Sequence, residues 1–447
     1  MSRSRPTADA GPPRSNIADW APRSKIAAWA LWDCGSTGMN AIVATFVFSV
    51  YLTGTVGAGL PGDTSPASWL GRTLTISGLA VAVLAPLTGV LVQVPHRRRV
   101  ALTVLTALAV ALTASMALIR ADPRYLAAGL VLLALTAACG DLASVPYNAM
   151  LRQLSTPRTS GRISGLGWAA GYAGSVLLLM IIYTGFIMGD GPNRGLLHLP
   201  VEDGWNVRMA MLMAAGWFAV LALPLLWTAH RLGDAGSRVE VPGVFGAYRR
   251  LFSELRTEWR RDRNFVYYLV VSAVFRDGLA GIFAFGAVLG VSVYGLSAAD
   301  VLVFGVLAST VAALGAIIGG RLDDRLGAKP VIVASLIALI AVGLALLALS
   351  GSLVFWLCGL GLAFFVGPTQ SAARTLLLRM TTDGKEAVAF GLYTMTGRAA
   401  APLAPWMFFL FVDLFRADRA GLAGVLLVLI AGLAGMLAVR TPEHVRC

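Results

Sequence analysis

Charge is what this 447-residue sequence has least of: 13% of its residues are charged, whereas 57% are hydrophobic. A soluble globular domain is nearer a quarter charged, so an ordinary water-soluble fold is excluded. Cysteine is scarce too. Cys34, Cys139, Cys358 and Cys447 show no framework spacing, and three of them lie inside apolar blocks, so no disulfide is expected. The four histidines, at 96, 198, 230 and 444, are scattered between apolar blocks. That is unlike a membrane-embedded transferase, which clusters His or acids at one membrane face. No Walker A loop, HExxH, CxxC or GxSxG occurs, so no catalytic residue, metal or cofactor is predicted. "GAGLPG" (57–62) matches G-x-G-x-x-G as a string only, lacking the strand and helix that give the motif its chemistry. Without an ATP site, ATP-driven work by this chain is not expected.

What the sequence has in abundance is apolar blocks of bilayer-crossing length, about 20 residues each. They do not alternate, which excludes a β-barrel. The spacing predicts twelve transmembrane helices, over 25–54, 70–94, 100–119, 125–150, 163–188, 206–229, 264–294, 300–320, 330–349, 353–378, 387–412 and 420–439. The fold class is thus an all-α polytopic membrane protein. The net charge of +13 does not signal a nucleic-acid partner, because the basic residues sit in short loops. Counting Lys and Arg over alternate loops gives 26 on one side and 5 on the other. The positive-inside rule then places both termini in the cytoplasm. Arginine supplies 33 of the 36 basic residues. That bias suggests a GC-rich genome and a bacterial plasma membrane.

The longest loop, 230–263, divides the chain six plus six: a tail (1–24) read as disordered, a six-helix unit (25–229), the linker, a second six-helix unit (264–439) and a short tail (440–447). Residues 1–24 do not read as a cleavable signal peptide. Within the linker, Phe245, Tyr248, Phe252, Leu255 and Trp259 recur at helical spacing among arginines, which predicts an interfacial amphipathic helix. The halves echo one another. At a shift of 226, Asn148 meets Arg374, Leu154 meets Met380 and Gly165 meets Gly391. At another shift Asp33 meets Asp277, and Tyr51 falls within one residue of Tyr294. Repeated halves mark many secondary transporters.

"GGRLDDRLGAKP" (319–330) carries Gly320, Leu322, Asp324, Arg325, Gly327 and Lys329 in the order of the G-x-L-x-D-R-x-G-R-K loop of the major facilitator superfamily, with Ala328 in place of one arginine. The resemblance implies two pseudo-symmetric six-helix bundles working by alternating access, with this loop as a conformational latch. The equivalent first-half loop, "GVLVQVPHRRR" (89–99), has Gln93 where an acid is usual. Nearly the whole chain resembles one branch, the vacuolar-effluxer-like transporters. The likeness is carried by "WALWDCGSTGMNAIVATFVFSVYL" (29–52), by "PYNAMLRQL" with "SGRISGLGWAAGY", and by "GPTQSAARTLLLRMTTDGKEAVAFGLYTMTGR". Some members of that branch are linked to amino-acid efflux from vacuoles. Here Trp32 and Cys34 flank Asp33 where Tyr and Trp are common, and Arg276 precedes Asp277 where a neutral polar residue is usual.

Charges within the apolar blocks are few: Asp33, Asp141, Arg276, Asp277, Arg374 and Arg398. Each costs roughly 2.5–3.5 kcal/mol at a bilayer centre unless it meets a polar cavity or a partner. Five of the six fall on spans 1, 4, 7 and 10, which the resemblance implies line the central pathway. At 1.5 Å per residue, Asp33 lies about 12 Å, Arg398 about 16 Å and Asp277 about 20 Å from the basic end of its span. Asp33, Asp277 and Asp141 are the candidates for proton coupling. Arg374, Arg398 and Arg276 are candidates for an anionic group of the substrate, with Asn40, Asn148, Gln370 and Tyr172 as neutral polar contacts. Asp–Arg pairing that locks the halves together is the competing structural reading. Trp29, Trp168 and Trp406 read as interfacial belt residues, and the small residues 161, 165, 167, 171 and 174 as a close-packing stripe. The expected function is secondary transport of a small molecule by a monomer in the lipid bilayer, with a proton as the coupling ion. A drug or metabolite exporter, and a non-transporting receptor or scaffold, are the alternatives. Buried titratable groups weigh against the scaffold.

Overall fold

A computed structural model describes residues 23–58, 65–228, 249 and 263–441. The 1–22 portion of the expected tail, the end of the 57–62 string and nearly all of the expected linker helix lie outside the described residues. Twelve helices are long and apolar enough to cross a membrane. They are α1 (Arg23–Val56), α2 (Pro66–Leu91), α3 (Pro95–Leu118), α4 (Pro123–Leu154), α5 (Ser160–Ile187), α6 (Glu202–Thr228), α7 (Arg263–Ser292), α8 (Ala298–Leu326), α9 (Ala328–Ala348), α10 (Ser352–Met380), α11 (Glu386–Phe415) and α12 (Asp418–Ala438). A two-residue hairpin, β1 (Asn193–Arg194) with β2 (Leu199–Pro200), joins α5 to α6.

The helix ends follow local chemistry. Ser65 caps α2 by accepting from the Ser68 amide, and Pro66 sits in the first turn, where its missing N–H is harmless. Ser297 and Asp300 form a reciprocal capping box on α8. Two helices are irregular near the middle of the chain's pathway. α1 is regular to Asn40, then widens to i→i+5 turns over Ala41–Phe46 and again over Leu52–Val56, a local geometry that recurs at functional sites. α11 is regular over Glu386–Ala400, breaks at Ala401–Pro402 and resumes over Leu403–Phe415.

Helices α1 to α6 pack chiefly among themselves, as do α7 to α12. The two groups meet where α5 lies against α8 and α10, and where α2 and α4 lie against α11. Large buried side chains such as Trp32, Tyr147, Phe218, Phe275 and Phe390 fill the helix interfaces, while Ile76, Leu79, Trp227, Leu353 and Leu414 stay exposed on the outer surface. An apolar exterior is what a lipid solvent requires, since lipid tails exert no drive to bury such groups.

The sequence repeat has structural counterparts. Tyr51 in α1 donates its hydroxyl to the Ile119 carbonyl after α3, and Tyr294 after α7 donates to the Leu346 carbonyl in α9. Gly165 and Gly391 are where each half touches the other. A Cβ on Gly391 would lie 2.6 Å from the Ala85 carbonyl of α2, and one on Gly165 would collide with the Ala316 carbonyl of α8. Only hydrogen fits at either position.

One expectation changes. The stretch 321–326, read as a loop, is the last two turns of α8, and only Gly327 (φ 92°) makes the turn into α9. Hydropathy falls at Arg321 although the helix continues past the apolar layer. Likewise α5 begins at Ser160, three residues before the predicted start.

Candidate functional site: charge pairs between the two halves

The extended end of α8 carries the first part of the site. Asp324 accepts from the backbone N–H groups of Gly161 (2.7 Å) and Arg162 (3.1 Å), in the first turn of α5. A carboxylate there satisfies two orphan helix donors and meets the positive end of the helix dipole. Arg379 in α10 holds Asp323 (2.5 Å) and the Ser160 hydroxyl (3.0 Å). Arg152 in α4 reaches across to Glu386 (3.1 Å) and Asp383 (3.1 Å), and donates to the Thr381 and Leu378 carbonyls. These contacts join the two halves at the Lys/Arg-rich end. At the opposite end, ionic contacts among the described residues stay within one half: Arg120 and Arg208 with Asp203, and Arg419 with Ser350 and the Leu346 and Leu349 carbonyls. The molecule is therefore latched at its basic end. Of the other motif residues, Arg325 is exposed, and Lys329 donates to the Leu437 and Val439 carbonyls at the end of α12.

The second part lies deeper, between the halves. Asp33 on α1 and Arg374 on α10 approach with Nη2 to Oδ2 at 3.7 Å, and the Thr37 hydroxyl donates to Asp33 Oδ1 at 3.2 Å. Three aromatic rings surround the guanidinium: Trp168 (5.2 Å to the ring centre), Trp29 (5.5 Å) and Tyr147 (5.9 Å). These are cation–π distances, and the interaction is strongest where water is excluded. The box is rigid. Trp29 stacks on Tyr147 with centroids 4.6 Å apart and planes 3° off parallel, and donates its Nε1–H to the Tyr147 carbonyl. Trp32 stacks on the same ring and donates to Thr106. Arg374 Nη1, Asp33 Oδ2, Trp168 Nε1 and Asn148 Oδ1 are buried without a hydrogen-bond partner among the described residues. Buried polar groups are normally satisfied, so a cluster of unsatisfied ones marks where a ligand or water belongs.

The third part is a charge cluster on α4, α7 and α11. Asp141 pairs with Arg398, again across the halves. Arg276 lies over the Tyr393 ring, its Cζ 3.6 Å from the ring centre, and donates to the Tyr393 carbonyl at 3.2 Å. Tyr172 links these parts, leaning on Trp168 (5.9 Å) and facing Phe283 of the other half (6.5 Å). Gln370 sits one turn from Arg374 on α10, partly buried, and Asn40 is exposed where α1 begins to widen.

Asp277 is placed differently from its sequence counterpart Asp33. Its carboxylate accepts from the Ala404 N–H at 2.5 Å, in the first turn of the resumed part of α11. It serves that helix as an external cap. Replacing Asp277 with Ala is expected to lower stability by about 1–2 kcal/mol, the scale of a lost helix cap. A lowered melting temperature of the detergent-purified protein, with coupled flux retained, checks this; loss of coupling at unchanged stability would instead make Asp277 a proton carrier.

Sequence reasoning did not find the aromatic box. Trp29 was assigned to the interfacial belt but is fully buried, and Trp168 packs over Arg374, whereas Trp406 is 60% exposed, as a belt residue should be. The partners of the latch, Arg152, Arg379, Asp323 and Glu386, were also missed. Their one visible signal was acid or base at the ends of spans.

Twelve helices in two facing groups, latched at one end and joined by buried charges at the centre, define a membrane transporter of the major facilitator superfamily. Solved structures agree on the fold. XylE, a proton:xylose symporter, superposes with a TM-score of 0.70 at 14% identity, covering 93% of this chain and 94% of that one. FucP in its outward conformation gives 0.62 at 14% identity, covering 94% and 100%, and an outward-facing bacterial homologue of the iron transporter ferroportin gives 0.66 at 14%, covering 93% and 97%. Within the superfamily, residues 53–445 match the family described as vacuole effluxer Atg22 like, and the chain belongs to that family. Similar proteins include the uncharacterized MFS-type transporter YxiO of Bacillus subtilis strain 168, 20% identical over 91% of this chain and 92% of its own length. Autophagy-related protein 22 of Yarrowia lipolytica is 24% identical over 57% of this chain and 46% of its own.

Proposed function

We propose that this transporter works as a secondary active exporter of a small polar molecule, probing both sides of the membrane by rocking its two halves about the central charge pairs. The Asp33–Arg374 pair carries the reading. It bridges the halves at the centre, it is long for an ion pair, and it is surrounded by polar atoms that lack partners. Such a pair is bistable: closure desolvates the acid, and opening rehydrates it. That is the requirement for coupling a proton to a conformational change. We assign Asp33 as the proton carrier, Arg374 as the ligand-binding cation and the Trp29–Tyr147–Trp168 box as the wall that holds it. Export is supported by the family's description as effluxers. The charge distribution over the loops supports both termini being cytoplasmic, and the excess of Arg over Lys supports a bacterial plasma membrane. The basic end is then the cytoplasmic end, and the latched state faces outward. A chain of this kind can work as a monomer, because both halves of the site lie on one polypeptide.

Thermal-shift titration of the purified protein against amino acids, dipeptides and small carboxylic acids tests the assignment. Stabilisation by one of these classes, lost in Arg374→Gln, is the expected result. No stabilisation by any class, or one that Arg374→Gln leaves unchanged, would overturn it.

A further inference from the structure

Resting on the transporter reading above, we infer that the central site takes an organic anion, with a carboxylate received by Arg276 and Arg398. The inference starts from an imbalance. Between the halves lie two acids, Asp33 and Asp141, and three arginines, Arg276, Arg374 and Arg398. Asp33 is matched by Arg374 and Asp141 by Arg398. Arg276 is the surplus. The acid beside it in sequence, Asp277, is committed to the Ala404 N–H of α11. Among the described residues, Arg276 feels Asp141 electrostatically but has no carboxylate of its own.

A fixed cation inside a membrane protein is costly and marks an ion or substrate site by default. The local packing favours this over a purely structural role. The guanidinium lies over the Tyr393 ring, and its hydrogen bond to the Tyr393 carbonyl uses only part of its five-donor fork. Gly397, one turn from Tyr393 on α11, lets the guanidinium pack against the helix: a Cβ there would lie 3.2 Å from both Nη atoms, so a larger side chain would press on the fork. The neighbouring Asp141–Arg398 pair is the most open of the central ionic contacts, with side chains 24% and 40% exposed, so an entering carboxylate can compete for Arg398 as well. Planar guanidinium forks are the side chains best matched to carboxylates. Trp168, Tyr172 and Phe283 form a run of apolar faces between the halves, starting at the Arg374 end, and Asp33 with Arg374 offers an opposite-charge pair there for a second polar group. An acidic amino acid or a dicarboxylate meets all three features. A near-isostere of either with one carboxylate replaced by an amide has one fewer anionic group to share among the arginines.

The experiment compares near-isosteric pairs on the full-length protein in detergent: aspartate with asparagine, glutamate with glutamine, and succinate with succinamate, by calorimetric or thermal-shift titration. Expected is at least tenfold tighter binding of the more anionic member in at least one pair, weakening with added salt as screened ion pairing should. Arg276→Gln should remove the preference by weakening the more anionic member, and Arg276→Lys, which keeps the charge but not the fork, should fall between. Equal affinities within every pair, a preference that survives Arg276→Gln, or no binding of any anionic member overturns the inference. The wild-type comparison stands even if a variant is unstable. Pair members that bind equally but both depend on Arg374 would leave the transporter reading intact and remove only the anion preference.

Discussion

Asp33→Asn is expected to abolish proton-driven flux in proteoliposomes, lowering it by about two orders of magnitude, the lower end of what a positioned proton-transfer group contributes. The substitution preserves shape. An asparagine can still accept from the Thr37 hydroxyl, which now reaches Asp33 Oδ1 at 3.2 Å. What is lost is the charge facing Arg374 and the ability to titrate. Two effects must be separated. Removing one member of a buried pair leaves the other uncompensated, at a cost of about 3–5 kcal/mol, so a fall in flux could come from destabilisation alone. The double variant Asp33→Asn with Arg374→Gln removes both charges and should recover much of the stability without recovering coupling. Substrate exchange in the absence of a pH gradient provides the second control, because it requires rocking but no net proton movement. A pyranine-loaded vesicle assay reads the coupled flux directly. Wild-type proton uptake in Asp33→Asn would remove Asp33 as the carrier and leave it as an inter-half clamp.

The contrast between Asp33 and Asp277 shows how far a sequence can be read. All twelve spans were legible, because a hydrocarbon layer about 30 Å thick demands long apolar runs and a few loop charges orient them. The repeat was legible at Tyr51 and Tyr294 and at Gly165 and Gly391, where matched residues make matched contacts. It also matched Asp33 with Asp277, yet one faces Arg374 and the other caps a broken helix. The break at Ala401–Pro402 creates the orphan N–H that Asp277 satisfies, and hydropathy does not register it. The pairing of Asp33 with Arg374, 341 positions apart, depends on how the halves are rotated against each other, which no local pattern encodes. The aromatic box escaped for a related reason. Tryptophan near a span end is equally consistent with a lipid interface and with a buried stack, and only the position of α4 and α10 decides between them. The latch was legible as a motif but not its partner: no local pattern shows that Asp324 caps the start of α5, 163 positions away from Gly161.

That cap needs α5 and α8 to lie almost in contact, and the glycine between them gives the second large prediction. Gly165→Leu is expected to disfavour closure of the basic end and to lower transport by about thirtyfold. A Cβ at this position would run into the Ala316 carbonyl, which is rigid backbone, so the helices must separate rather than a side chain rotate. Close packing leaves interiors little room for such strain, and overpacking a tight interface costs about 1–3 kcal/mol. The strain exists only in the state where α5 meets α8. It is relieved when the halves rock open at this end, so it acts as a bias between states rather than as a general loss of stability. A bias of about 2 kcal/mol shifts a balanced two-state equilibrium roughly thirtyfold. The Asp324 contacts to Gly161 and Arg162 would be lost with it. Spin labels placed on either side of the basic end, one on α4 and one on α10, should show the short distance of the latched state in wild type and a longer one in Gly165→Leu, with helical content unchanged. Gly165→Ala, which adds the same Cβ with nothing beyond it, should give an intermediate distribution. A short distance retained in Gly165→Leu would mean that α5 and α8 part without opening the pathway, and that the latch acts elsewhere, at Arg152 and Glu386.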